Sequence, residues 1–116
     1  KNHMQDQPIQ PCFAITELQR YLLQSPDDIM VIDVRSQEEY NDRHIPVAVN
    51  IPLSELKDQS KKFPKNKLIV TTCGKGGGRS AQGAAILQQE GFINVSYLCG
   101  GTFGWFEYSN TISQQI

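Results

Sequence analysis

No stretch of this chain carries the roughly 20 consecutive apolar residues that span a bilayer. The polar opening from Lys1 to Gln10 lacks the apolar segment of a secretion signal. Neither sign of charge is in excess, with 11 basic residues against 12 acidic ones. Proteins that grip nucleic acid or an anionic membrane need surplus cations, so neither partner is expected and any attraction for anions must be local. Cysteine is scarce and odd in number. Cys12, Cys73 and Cys99 are widely spaced, form no C-x-x-C pair and have no histidine at ligand spacing. That speaks against a disulfide framework and a zinc site, and for a reducing compartment. No internal repeat, low-complexity tract or second domain is visible in the 116 residues, about the size of one ordinary domain. The expectation is a cytoplasmic domain over residues 12–116 behind a flexible lead, residues 1–11. In that lead His3-Met4 has the form of a cloning junction, with Met4 as the natural start.

What is present is alternation. Thr16-Glu17-Leu18-Gln19 has the form of a capping box, and Ile15, Leu18, Tyr21 and Leu22 recur at helical spacing until Ser25-Pro26, predicting a first helix. Met30-Val31-Ile32-Asp33-Val34 is a short, mostly β-branched run of the kind that forms a strand buried on both faces. Ser36-Gln37-Glu38-Glu39 then opens a short helix as a second capping box. Pro46 and Pro52 bracket a strand of a few residues, residues 53–62 carry helix formers stopped by Pro64, and Leu68-Ile69-Val70-Thr71-Thr72 is a second buried-type strand. A helix over 80–90 follows, its Ala81, Ala84, Ala85 and Leu87 suited to close packing on a sheet, with Gly91 in the left-handed position after it. Residues 94–98 predict the last strand, Gly100-Gly101 a turn, and Phe103, Trp105 and Phe106 a closing aromatic cluster. Helices alternating with all-apolar strands predict an α/β fold: a mainly parallel five-stranded sheet with helices on both faces.

In such sheets ligands bind at the carboxyl ends of strands, where Cys73 falls. A thiol at neutral pH is mostly protonated, and the thiolate is the nucleophile, so a reactive cysteine needs surroundings that favour negative charge. The loop Cys73-Gly74-Lys75-Gly76-Gly77-Gly78-Arg79 offers three such features. Gly74, Gly76, Gly77 and Gly78 let the backbone curl so that successive N–H groups turn inward as an anion-binding nest. The helix opening near Ser80 aims its N-terminal dipole at the same place. Lys75 and Arg79 add formal charge, and Arg79 can hold an oxyanion through two parallel hydrogen bonds. Lys75 equally suits a solvated loop position. A buried cysteine is often only a small hydrophobe, but packing alone gives no reason for so many glycines beside two cations.

Two nucleotide motifs fail here. A Walker A loop needs Ser or Thr directly after the lysine and a glycine five residues before it, yet Gly76 follows Lys75 and Val70 holds the earlier place. The dinucleotide fingerprint fails because Arg79 stands at its third glycine.

The stretch Asp33-Val34-Arg35-Ser36-x-x-Glu39-Tyr40-x-x-x-His44-Ile45-Pro46-x-Ala48-x-Asn50-Ile51-Pro52 resembles the first signature of the rhodanese homology family. Cys73 to Ser80 resembles its active-site loop, and Leu98-x-Gly100-Gly101-x-x-x-Trp105 its closing signature. Arg43 and Val47 stand where that family commonly has glycines. The resemblance implies a rhodanese-like fold and a double displacement. Cys73 takes the outer sulfur of thiosulfate or a similar anionic donor as a persulfide, and a thiol or partner protein accepts it. Gly74, Lys75, Gly76, Gly77, Gly78, Arg79 and Ser80 would bind the substrate, with no metal or organic cofactor. Asp33 and Arg35 match signature positions but suit a structural ion pair better than direct catalysis. His44 suits a hydrogen bond to a loop, and Trp105 the core or a pocket wall.

Sulfur-transferring members of the family typically have a six-residue loop, and its phosphatase and arsenate-reducing relatives seven. Cys73 through Arg79 is seven. Cys73-x-x-Gly76-x-x-Arg79-Ser80 also resembles the tyrosine-phosphatase signature, except that Thr72 replaces its usual histidine, and the loop offers no general acid for a leaving group. Sulfur transfer is therefore the first expectation, a phosphatase or arsenate reductase the second, and a non-catalytic regulatory binding domain the third. Cys99, at the end of the strand beside that of Cys73 in the family's sheet, is a possible second thiol, although a buried small residue suits it as well. Cys12 is given no role.

Overall fold

Two short, mostly β-branched apolar runs of the sequence lie side by side at the centre of the structure. This computed structural model describes residues 12–115, with side chains as far as residue 110. The lead over residues 1–11 lies outside the described residues. Strand β1 (Ile29–Asp33) pairs in parallel with β3 (Leu68–Thr72), in register from Ile29 opposite Leu68 to Asp33 opposite Thr72. β2 (Val49–Asn50) lies outside β1, and β4 (Val95–Tyr97) outside β3. Both centre strands point apolar side chains to both faces of the sheet because both faces are covered, and their polar residues, Asp33, Thr71 and Thr72, fall at the carboxyl ends. One face packs Ile32, Val34 and Ile69 with Leu56 of α3 (Leu53–Gln59) and Leu87 of α4 (Arg79–Gln89). The other packs Ile29, Val31 and Val70 with Leu18 of α1 (Ile15–Gln24) and with Trp105 of α5 (Gly101–Gln115). Helix α2 (Gln37–Asp42) follows β1 directly.

Four strands form rather than the expected five. The fifth position, outside β4, is held by Phe13 alone in a parallel bridge to Leu98. Its N–H donates to Tyr97 O at 2.6 Å, and Cys99 N–H donates to its carbonyl at 2.9 Å. On its far side the chain turns at once into α1, which begins at Ile15, so among the described residues only Cys12 to Ala14 lie ahead of the helix.

That one bridge overturns the reading of the cysteines. It brings the neighbours of Phe13 and Leu98 together, and Cys12 and Cys99 form a disulfide across 87 residues, with Cα atoms 4.9 Å apart. Cys73 is the free cysteine. Cys12 therefore has a structural role, Cys99 is not available as a second thiol while the bond stands, and the cysteine count no longer argues for a reducing compartment. Wide spacing hid the pairing because only the sheet makes positions 12 and 99 neighbours. Without reductant, alkylation of the unfolded chain is expected to modify one cysteine, and after reduction three. Closing so long a loop restricts the unfolded chain, so Cys12→Ser/Cys99→Ser should lose about 2–4 kcal/mol in denaturant unfolding. Three modified cysteines without reductant would show that the bond does not form.

Helix starts followed packing as well as capping. The first capping box does not form: the N-cap of α1 is Ala14, with no side-chain bond, and Thr16 lies inside the first turn. The helix begins early enough for Ile15 to join the core beside Leu18. The second forms as read, with Ser36 Oγ accepting from Glu39 N–H at 3.2 Å and Glu39 Oε1 from Ser36 N–H at 3.1 Å. In α4 the buried positions are Ser80, Gly83, Ala84 and Leu87, whereas Ala85 faces outward. Gly91 takes the left-handed conformation expected after the helix, at φ +100°. Arg43 and Val47, in place of glycines, impose no strain, since among the described residues none other than glycine has positive φ. Arg43 lies with its guanidinium 3.9 Å from the centre of the Phe106 ring. The predicted closing turn forms over Cys99-Gly100, and Gly101 with the aromatic cluster opens α5. No helix among the described residues is long and apolar enough to cross a membrane.

Candidate active site

Cys73 is the first residue beyond β3, and two helices begin around it. Helix α4 starts at Arg79, six residues on, and α5 docks end-on against the loop. The first N–H groups of a helix have no partner within it. In α5 those of Thr102 and Phe103 donate to the carbonyls of Cys73 and Gly74, at 2.8 and 2.9 Å. Partial positive charge from both helix starts thus falls on the loop. Only the α4 half is legible in the sequence, because Gly100-Gly101 looks like a turn and nothing local shows that a helix begins there.

The backbone packing at this junction leaves no room for a side chain. A Cβ on Gly101, which has φ +62°, would lie 2.6 Å from Cys73 O, 2.6 Å from Gly76 N and 2.7 Å from Gly74 O. Those are backbone atoms of the site and cannot move aside cheaply. Gly101→Ala should therefore displace the loop, abolish chemistry at Cys73 and cost well over the ~1–2 kcal/mol of positive φ alone. Gly77→Ala, at φ +75° with nothing within 4 Å of the added carbon, should cost only about that amount. Thermal melts and Cys73 alkylation rates of the two variants check this, and equal effects would show that the crowding is immaterial.

The Cys73 side chain is buried, 5 % exposed, and its Sγ lies 3.1 Å from Gly77 O and 3.3 Å from Ser80 Oγ. A carbonyl oxygen only accepts, so this is the arrangement of a thiol donating its proton. Gly77 O also receives Ser80 Oγ at 2.9 Å and Ser80 N–H at 3.1 Å, which makes it the hub of the loop. Of the residues expected to bind substrate, Gly77 and Ser80 therefore meet Cys73. Gly74 and Gly76 lie under the start of α5, and Gly78 is the N-cap of α4. Lys75 stands on the exposed rim, lining a shallow groove of about 330 Å³ with Phe103 and Glu107.

Arg79 is engaged elsewhere. Its Nη1 and Nη2 donate to Glu39 Oε1 and Oε2 at 2.8 and 3.1 Å. This pairing, reinforced by the Ser36 N–H, holds the Glu39 carboxyl down at about 2, while Glu39 raises the Arg79 guanidinium. Glu39 was legible only as a capping residue, since nothing in the sequence joins positions 39 and 79.

Beneath the loop, Asp33 and Arg35 form the structural ion pair expected of them, with Nη2 to Oδ2 at 2.8 Å and Nε to Oδ1 at 2.9 Å. Asn50, given no role from sequence, donates to the carbonyls of Asp33 and Arg35 at 3.1 and 3.0 Å. His44 makes a hydrogen bond, though to helix α2 and not to a loop: its Nδ1 lies 2.8 Å from Tyr40 O, an acceptor, so it is the donor, and its ring stacks on Tyr40.

A model of the rhodanese-like domain matches residues 15–108. The chain belongs to the rhodanese-like domain family. It is 34% identical over 92 residues to a thiosulfate sulfurtransferase, GlpE, of Coxiella burnetii, covering 78% of this chain and 84% of the relative. Among solved structures, the BH2092 protein of Bacillus halodurans superposes with a TM-score of 0.77 at 30% identity, covering 92% of this chain and 77% of the other. The human single-domain sulfurtransferase TSTD1 superposes at 0.72 with 25% identity, covering 84% and 96%. Relatives of this rhodanese-like domain thus carry the name sulfurtransferase, which supports sulfur transfer at the level of the family.

Proposed function

We propose that this rhodanese-like domain moves sulfane sulfur through a persulfide on Cys73. The observation that carries the reading is a free, buried cysteine where the starts of α4 and α5 converge. The proton that Sγ donates to Gly77 O in the resting loop passes to solvent as the thiolate forms. The thiolate attacks the outer sulfur of a donor such as thiosulfate; a new S–S bond forms, the donor's S–S bond breaks, and sulfite leaves with the electron pair. An acceptor thiolate, on a small molecule or a partner protein, then attacks the outer sulfur of the persulfide and releases the Cys73 thiolate. The two helix starts stabilise the negative charge as it moves between the sulfurs.

The seven-residue loop would suit an oxyanion ester by length alone. Its chemistry in this fold suits one poorly, because a carbonyl and not an N–H faces Sγ, Arg79 is already paired, and no acid side chain lies against the sulfur. Intact mass after treatment with thiosulfate or an organic persulfide tests the proposal. One sulfur atom should be gained, located on the Cys73 peptide and removed by excess thiol. No gain, together with turnover of an aryl phosphate or reduction of arsenate, would replace this reading with the second, and neither activity would leave a binding domain.

A further inference from the structure

The pair between Arg79 and Glu39 joins the loop to a helix that takes no other part in the site. Glu39 is fixed from its own side: its Oε1 also accepts from Ser36 N–H and Ser36 Oγ, at 3.1 and 3.0 Å, as part of the α2 capping box. Arg79 meets it with both guanidinium nitrogens in parallel, the geometry it would otherwise offer an oxyanion. Arg79 is also near enough to Cys73 for negative charge on that sulfur to stabilise the guanidinium. A dianion at the loop must therefore draw Arg79 off Glu39 or sit close to an ionised carboxylate. An uncharged sulfur donor faces neither demand.

We infer that Glu39 is a positioning residue for specificity, occupying Arg79 with its own carboxylate and so biasing the site toward sulfane donors of low charge, such as organic persulfides, over dianions such as thiosulfate. The inference rests on the sulfur-transfer reading and names its donor class. Both partners are nearly half exposed, at 45% and 41%, so the latch can open and a dianion is disfavoured without being excluded.

Glu39→Gln tests this without undoing the helix start, because glutamine serves in a capping box as glutamate does. The KM for thiosulfate should fall about fivefold at low ionic strength, with most of that gain lost in high salt. The KM for an alkyl persulfide, which carries at most one charge, should stay within about twofold. Arg79→Met should cancel the effect, so that Glu39→Gln/Arg79→Met shows no gain over Arg79→Met alone. A brace that merely joins α2 to α4 would instead change the melting temperature and affect both donors alike. An unchanged or raised KM for thiosulfate in a folded Glu39→Gln variant overturns the inference while leaving sulfur transfer in place. If the wild-type chain loads from no donor, sulfur transfer fails, and sulfate affinity still decides the role of Glu39. On a Cys73→Ser background, Glu39→Gln should tighten sulfate about fivefold, and no tightening refutes it.

Discussion

Cys73→Ser is expected to take up no sulfur from any donor and to slow transfer by roughly three orders of magnitude or more, with its fold intact. A hydroxyl cannot form a persulfide, and it is a far weaker acid than a thiol. Nothing beside it would compensate, since the groups against Sγ are the Gly77 carbonyl and the Ser80 hydroxyl, neither of which is a base. The other two sulfurs cannot substitute while they are bonded to each other. Stability should change by only about 1 kcal/mol. The site is small, and a serine hydroxyl can donate to Gly77 O in place of the thiol. Intact mass, a sulfite-release assay and a thermal melt check the three parts. Continued sulfur uptake by the folded variant would move the chemistry away from this loop.

Asp33→Ala should cost about 3–5 kcal/mol, a large share of the roughly 5–15 kcal/mol that holds a domain of this kind together. It would leave the Arg35 guanidinium, 2% exposed, with its charge unpaired. The remaining bond from Nη2 to the Arg43 carbonyl, at 2.5 Å, offers only a neutral partner. Loss of the carboxylate also removes the acceptor of the Arg35 N–H, at 3.0 Å, where the chain leaves β1. Asp33→Ala/Arg35→Met should recover much of the loss, because no buried charge then lacks a partner. Urea unfolding of the single and double variants measures this. Folded double variant should still load sulfur on Cys73, since the pair holds the floor of the site and touches no reacting atom. A double variant as unstable as the single one would mean that the arginine charge is not what the aspartate answers.

The short-range features were legible without coordinates. β3 falls on the residues read for it, because a run such as Leu68-Ile69-Val70 can be satisfied only between two covered faces. The Ser36 capping box and the left-handed Gly91 needed only their own neighbours. Cys73 stood out because glycines and cations in that number have no packing purpose. The departures that bear on the site and the cysteines all join distant positions. Phe13 reaching Leu98 turned two unremarkable cysteines into a disulfide, and ended the sheet at four strands. Helix α5, legible only as a turn and an aromatic cluster, became a second positive end against the loop once Cys73 and Gly74 supplied acceptors for its free N–H groups. Arg79, read as an anion clamp, already has a partner forty residues earlier in the chain.

By itself, then, the sequence determined the α/β class, the place of Cys73 just beyond a buried strand and the glycine curl around it, since each depends on periodicity or on backbone freedom within a few residues. Tertiary structure alone decided which cysteines pair, which helix starts meet the Cys73 loop, and that the loop's arginine answers to Glu39. Those depend on distances between segments that no local pattern encodes.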